Sequence, residues 1–376
     1  MEANRKVLTT ARRLVIKLGS NVVAKPNGKI NAALIRRLAG EIAALNADGK
    51  EIILISSGAV RVGSARLGRP ARPDDLPARQ AAATVGQSEL VAAYRSAFAR
   101  HELPLGQILL TQADIADARR YLHLRNTLST LRDLGVVPLL NENDPVGIRG
   151  VEIGENDRLA ALVAAKVEAD LVVLLSDVEG FFTSDPRQDP TAELIHEVTR
   201  LTPQLRDRAT GPGSGGRGGM RSKLDAARAA MKSGVYLVIV RGSLQNALGR
   251  VLAGEEIGTL FVPEAAKLRS RKRWLGFAFT PKGRVIVDDG ARRALMERGS
   301  SLLPAGVREV GGEFRQGDAV SVVARGEEIA RGLVNYSSDE VRAMRGCHSS
   351  EIAERIGYRN FDEVIHRDNL VVLASE

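Results

Sequence analysis

The chain has 376 residues, more than one hydrophobic core ordinarily serves, so two or three domains are expected. Hydrophobic residues at 44% and charged residues at 26% exclude a disordered chain, and aromatics at 4% argue against a base-stacking platform for nucleic acid. The net charge of +9 admits anionic ligands without naming one, while a single cysteine, Cys347, excludes an intramolecular disulfide and any multi-cysteine metal site.

The N-terminal stretch MEANRKVLTTARRLVIKLGS carries basic residues but no long apolar run. Nowhere does an apolar run reach the ~18 residues of a membrane span, so a soluble, cytoplasmic protein is expected. The basic excess is spread along the chain, +6 over residues 1–266 and +3 over 267–376. The one dense basic run, Lys267 to Arg273, suits a solvated linker better than an RNA patch.

In chain order, Leu14–Leu18, Glu51–Ser57, GQILLT, VVPLL, LVVLLS and YLVIVR are short, continuous Val/Ile/Leu runs bounded by Gly, Asp, Pro or Ser. Such runs suit parallel strands covered on both faces. Between them lie Ala-rich helical stretches at Ala32–Ala47, Arg79–Arg100, Arg119–Leu134 and Asp157–Glu168. The alternation predicts a three-layer α/β/α sandwich with a mainly parallel sheet over residues 1–265. A connector follows at 266–278. Short β-like runs with Gly and Asp turns and a helix at Ala291–Arg298 then predict a small β-barrel-like module over 279–360, leaving a tail at 361–376.

Ligands of such sheets bind beyond the C-terminal ends of the strands, so the residues there carry the functional argument. Strand one runs into Lys17-Leu18-Gly19-Ser20-Asn21, a cation beside exposed backbone N–H groups; a lysine at a strand end is also often a surface residue packing its stem. Strand two runs into Ser56-Ser57-Gly58, which reads equally as an anion nest or a plain helix cap. Asn141, Glu142, Asn143 and Asp144, then Glu155, Asn156 and Asp157, form two close clusters at element ends. Turn chemistry explains one such cluster. Two together point to a polar substrate, with groups to bind an amine and orient lysines. Ser176 and Asp177 end another strand, and Gly211–Ala227 is a glycine-rich run with Lys223 in the first turns of the helix that follows. The GxGxxG match at Gly213–Gly218 has no strand before it, and the kinase-like His366-Arg367-Asp368-Asn369-Leu370 lies too near the C-terminus for a catalytic loop.

The ordered set KLGS, SSGAV, ATVGQSEL, LLTQAD, NENDPV, GENDRLAAL, LLSDVEGFFTSDPR and GGMRSK resembles the amino-acid kinase family, within it the glutamate 5-kinases. The C-terminal module resembles a PUA domain. The resemblance implies ATP-dependent phosphorylation of the γ-carboxylate of L-glutamate, the first step of proline biosynthesis, with Mg²⁺ carried on the ATP phosphates. It implies that Lys17 and Lys223 contact the ATP phosphates and the transferring group, with Asp157 holding them. Ser57, Asp144 and Asn156 would bind glutamate. Ser176, Asp177, Gly218, Gly219 and Met220 would line the nucleotide site. It further implies proline as an inhibitor, a homo-oligomer (dimer or tetramer) and a functional link to glutamate-5-semialdehyde dehydrogenase. Arg217 and Glu155 depart from the family's usual Thr and Asp. Two other readings stand beside this one: a kinase for a different carboxylate or carbamate, and an RNA-binding protein acting through its C-terminal module.

Overall fold

The computed structural model describes residues 2–69, 75–146, 156–207, 219–263 and 280–373. The chain divides into two compact units, one of Met1–Ile115 with Thr127–Leu268, the other of Ala116–Asn126 with Arg269–Glu376. The connector expected at 266–278 lies outside the described residues, as do Arg217, Gly218 and Glu155.

The first unit is built on an eight-stranded sheet, strands β1 (Arg13–Leu18), β2 (Glu51–Ser56), β3 (Leu105–Leu110), β4 (Val137–Glu142), β5 (Leu171–Ser176), β6 (Glu197–Val198), β7 (Tyr236–Arg241) and β8 (Thr259–Phe261). Their spatial order is β3-β4-β2-β1-β5-β7-β8-β6. Pairing is parallel from β3 through β7, and β8 runs antiparallel to β7. The mainly parallel α/β sheet expected from the sequence is present. β6 and β8 were not legible there, because two and three residues are too few to show a period.

The helices follow from capping and stripe. In α1 (Ala32–Ala47) the Asn31 side chain accepts from the Leu34 N–H, and Leu34, Ile35, Leu38, Ala39, Ile42 and Leu45 form one buried face. α2 is Ala59–Arg66 and α3 is Leu76–Phe98, the latter capped by Asp75. α4 is Asn156–Lys166 and α5 is Met220–Lys232. The helix expected at Arg119–Leu134 runs Ala118–Asp133. Among the described residues no helix is long and apolar enough to cross a membrane.

α2 and α3 cross almost backbone to backbone. A Cβ on Gly63 would lie 1.7 Å from the Ala82 carbonyl oxygen, and one on Gly86 1.9 Å from that of Ala59. Neither obstacle is a side chain that can swing away. Gly86→Ala is therefore expected to destabilise the first unit by more than about 2 kcal/mol, as strong overpacking does. Urea unfolding would test this, and an unchanged midpoint would show that the crossing can open at little cost.

The second unit carries a five-stranded sheet, β9 (Gly283–Val287), β10 (Val307–Gly312), β11 (Ala319–Ala324), β12 (Glu327–Leu333) and β13 (Leu370–Val372), in the order β10-β9-β11-β12-β13. Helices α6 (Asp289–Arg298) and α7 (Ser338–Met344) accompany it. The stretch set apart as a tail at 361–376 is not a tail through residue 373. Val364 and Ile365 are buried in this unit's core, and β13 pairs antiparallel with β12. The kinase-like His366–Leu370 run is a 3₁₀ turn, Arg367–Asn369, leading into β13. Ala116–Asn126 belongs with this unit for a packing reason: Tyr121 and Leu122 are buried with Ala319 and Leu333. Many of its basic side chains are paired, as in Lys282–Asp318, Arg308–Asp288, Arg325–Asp289 and Arg331–Glu328.

Candidate active site

β1 is the strand at which the chain order splits, with β2 on one side and β5 on the other. A crevice at this switch point is where open α/β sheets bind ligands. The backbone keeps the strand ends together past the sheet. Ser57 N–H donates to the Leu18 carbonyl at 3.1 Å, Gly19 N–H to Leu175 at 3.0 Å, and Gly242 N–H to Ser176 at 2.7 Å. Three loops expected to be functional are thus tied edge to edge. Gly58 sits at φ +104°, a conformation that strains any residue with a side chain. It turns the chain out of β2 into α2 and leaves Ser57 at the mouth.

Lys17, on β1, and Lys223, in the first turns of α5, meet at one carboxylate. Lys17 Nζ lies 2.5 Å from Asp157 Oδ1, and Lys223 Nζ donates to Asp157 Oδ2 at 3.2 Å. All three side chains are buried, Asp157 to 1% exposure. Burial pushes the Asp157 carboxyl up, but the two ammonium groups outweigh it and hold it below the ordinary carboxylate range. The cluster carries one net positive charge. It stands at the N-terminal ends of α4 and α5, where the helix dipole favours anions.

Beside this cluster is a chain of carboxamides. Asn156, next to Asp157 at the start of α4, donates through Nδ2 to Ser56 O at 2.9 Å, Ser57 Oγ at 3.0 Å and Asn141 Oδ1 at 2.8 Å. Asn156 Oδ1 is shielded from solvent and has no hydrogen-bond partner among the described residues. Ser57, Asn141 and Asn156 therefore converge. Asp144 opens the 3₁₀ turn Asp144–Val146 just beyond β4, half-buried.

On the other side of β1, Ser176 is buried at the end of β5 and donates to Asp177 Oδ1 at 3.1 Å. Asn21 Nδ2 donates to Asp177 Oδ2 at 2.7 Å, and Arg61 donates to Asn21 Oδ1. Burial opposes ionisation of Asp177, but these donors, its own backbone N–H and the charge of Lys223 keep its carboxyl below the usual range. Gly219 caps α5 and Met220 opens it. In the sequence Asn21 stands out only as the last residue of the Lys17–Asn21 run after strand one and Ser56 only as part of the turn after strand two, while Gln87 and Tyr94 carry no assigned role.

Residues 12–241 match the amino acid kinase family and residues 283–356 match the PUA domain. A glutamate 5-kinase of Geobacter sp. (strain M21) is 46% identical over 371 residues, covering 98% of this chain and 100% of that protein. The chain belongs to the amino acid kinase family. This amino acid kinase is also 44% identical to a glutamate 5-kinase of Myxococcus xanthus (strain DK1622) over 99% of each chain. A solved UMP kinase from Bacillus anthracis is 17% identical, with a TM-score of 0.49, covering 68% of this chain and 97% of that one.

Proposed function

We propose that this amino acid kinase transfers the γ-phosphoryl group of ATP to the γ-carboxylate of L-glutamate, giving an acyl phosphate for proline biosynthesis. The observation that carries the reading is the Lys17–Asp157–Lys223 cluster beside a carboxamide pocket whose last acceptor, Asn156 Oδ1, is unpaired. Full-length relatives named glutamate 5-kinase support the substrate.

The nucleophile is a carboxylate, already ionised near neutral pH, so no general base is needed. The obstacle is charge. Two like charges 4 Å apart repel by about 4 kcal/mol at an effective dielectric of 20, and ATP brings several. Lys17 and Lys223 answer that repulsion where it develops, which suits a phosphoryl transfer governed by positioning and electrostatics. Asp157 is not itself a base in this scheme. It fixes both ammonium groups from one point, so that neither has to be ordered when ATP arrives. Mg²⁺ entering with the nucleotide would supply further neutralisation of the phosphate charge. The carboxylates present fit that division: Asp157 is already shared by two lysines, and both Asp177 oxygens accept hydrogen bonds.

On the acceptor side, Asn156 Oδ1 accepts from the substrate ammonium, with Ser57 and Asp144 completing the pocket. Ser176, Asp177, Gly219 and Met220 flank the nucleotide, with Gly218 next to them in sequence. A cytoplasmic location suits free glutamate and ATP as substrates. Proline, sharing the α-amino acid group of glutamate, is expected to compete for the same loops.

Incubation with Mg-ATP, glutamate and hydroxylamine tests the reading. Glutamate-dependent hydroxamate is expected, decreasing when proline is added. Silence with glutamate and signal with another carboxylate would move the substrate. Asp144→Ala should raise KM for glutamate more than KM for ATP; equal effects on both would count against a substrate role for Asp144.

A further inference from the structure

We propose that Gln87 is a positioning residue that sets the selectivity of the acceptor pocket for an amino acid over a plain dicarboxylate. The inference rests on the glutamate reading above and concerns how the pocket recognises the ammonium group.

Gln87 lies on α3, next to Gly86, the residue at which α3 meets α2 with no room to spare. Tyr94, two turns further along the same face, has its hydroxyl 3.0 Å from Ser56 Oγ. α3 is thus anchored to the pocket on both sides of Gln87. From that fixed point Gln87 Oε1 accepts from Asn141 Nδ2 at 2.7 Å. Asn141 Oδ1 then accepts from the Glu142 N–H at 2.9 Å and from Asn156 Nδ2 at 2.8 Å.

A carboxamide has one accepting end and one donating end, so orientation passes along such a chain. The acceptor on Gln87 and the Glu142 N–H together hold Asn141 with its amino group toward α3 and its oxygen toward Asn156. That oxygen, with Ser56 O, calls for the amino group of Asn156. The end of the chain is a buried oxygen, Asn156 Oδ1, without a partner among the described residues. Leaving it unpaired is costly, and a bound ammonium group removes that cost. A substrate lacking the ammonium leaves it in place. Sites built to bond a polar group reject analogues that lack it more strongly than apolar pockets do.

The test compares glutamate with glutarate, which has both carboxylates and no ammonium, by the ratio of their kcat/KM values in the hydroxamate assay. Gln87→Met keeps the length of the side chain and removes the amide acceptor. It is expected to lower the glutamate-to-glutarate ratio by about two- to tenfold, as loss of one neutral hydrogen bond from the chain does, with KM for ATP unchanged. Gln87→Glu keeps the acceptor. Its added charge acts on both diacids and favours the ammonium, so the ratio should stay at or above the wild-type value. A Gln87→Met ratio equal to wild type, or a Gln87→Glu ratio as low as that of Gln87→Met, would overturn the proposal. If thermal melts show that the Met variant does not fold, Gln87→Leu, which also removes the acceptor, takes its place, and an unchanged ratio there would overturn the proposal. A wild-type protein that phosphorylates no glutamate would remove the functional reading and this inference with it. Normal glutamate turnover with an unchanged Met ratio would remove the inference only.

Discussion

Lys223→Met is expected to lower kcat by roughly 10²–10³, the range seen when one preorganised donor to a transition state is removed. The substitution keeps an apolar stem of similar length, so packing around α5 is conserved. Lys223 is buried, held by Asp157 at 3.2 Å and placed at a helix N-terminus. Its charge is therefore poised before substrate arrives and acts where water cannot screen it. KM for glutamate should change little, because the carboxamide pocket is built from other side chains. Steady-state kinetics in both substrates would decide. A kcat within tenfold of wild type would show that Lys223 binds ground state and transition state alike, and that Lys17 carries the stabilisation.

Asp157→Ala is expected to cost about 3–5 kcal/mol of stability, the usual cost of removing one partner from a buried ion cluster, and to abolish measurable activity. Lys17 and Lys223 would stay buried and lose the carboxylate that both contact. Asp157→Asn keeps the shape and isolates the charge. The sign of its pH dependence follows from the lowered folded-state pKa of Asp157. A carboxylate held below its unfolded value stabilises the fold fully above that value, about 3.9, and the contribution is lost as pH falls through the folded value. The stability gap between wild type and Asp157→Asn should thus be constant near neutrality and shrink below about pH 4. Urea unfolding over that range would test it. A gap that grows on acidification would mean that Asp157 is not held ionised by the lysines.

The sequence was most readable where physics acts locally. Continuous apolar runs at 14–18, 51–57 and 171–176 dictate buried parallel strands whatever their neighbours, and the structure has strands at all three. The Ala-rich stripes mark the helices in the same way, although the one expected from Arg79 begins at Leu76, where Asp75 caps it. The order of the motifs along the chain already pointed to the family, with KLGS, SSGAV, NENDPV and LLSD at strand ends and GENDRLAAL and GGMRSK at helix starts. What failed was short or non-local. β6 and β8 have too few residues to show a period, and β13 looked like a frayed end because its partner, β12, lies some forty residues earlier.

The candidate site divides along the same line. Lys17, Asp157 and Lys223 were each visible as charged residues at element ends, but only the strand order β2-β1-β5 and the two helix starts bring them to one carboxylate. Gln87 shows the other limit. A glutamine in mid-helix carries no signal of its own. Its meaning comes from the glycine crossing that fixes α3 and from the 2.7 Å bond to Asn141, 54 residues away. By itself the sequence determined which segments become strands and helices and which chemistry is present, because backbone preference and apolar periodicity are local properties. Only the tertiary structure decided which charges share a partner and which way each amide faces, because hydrogen bonds act over 3 Å and the residues that make them are joined by the fold, not by the chain.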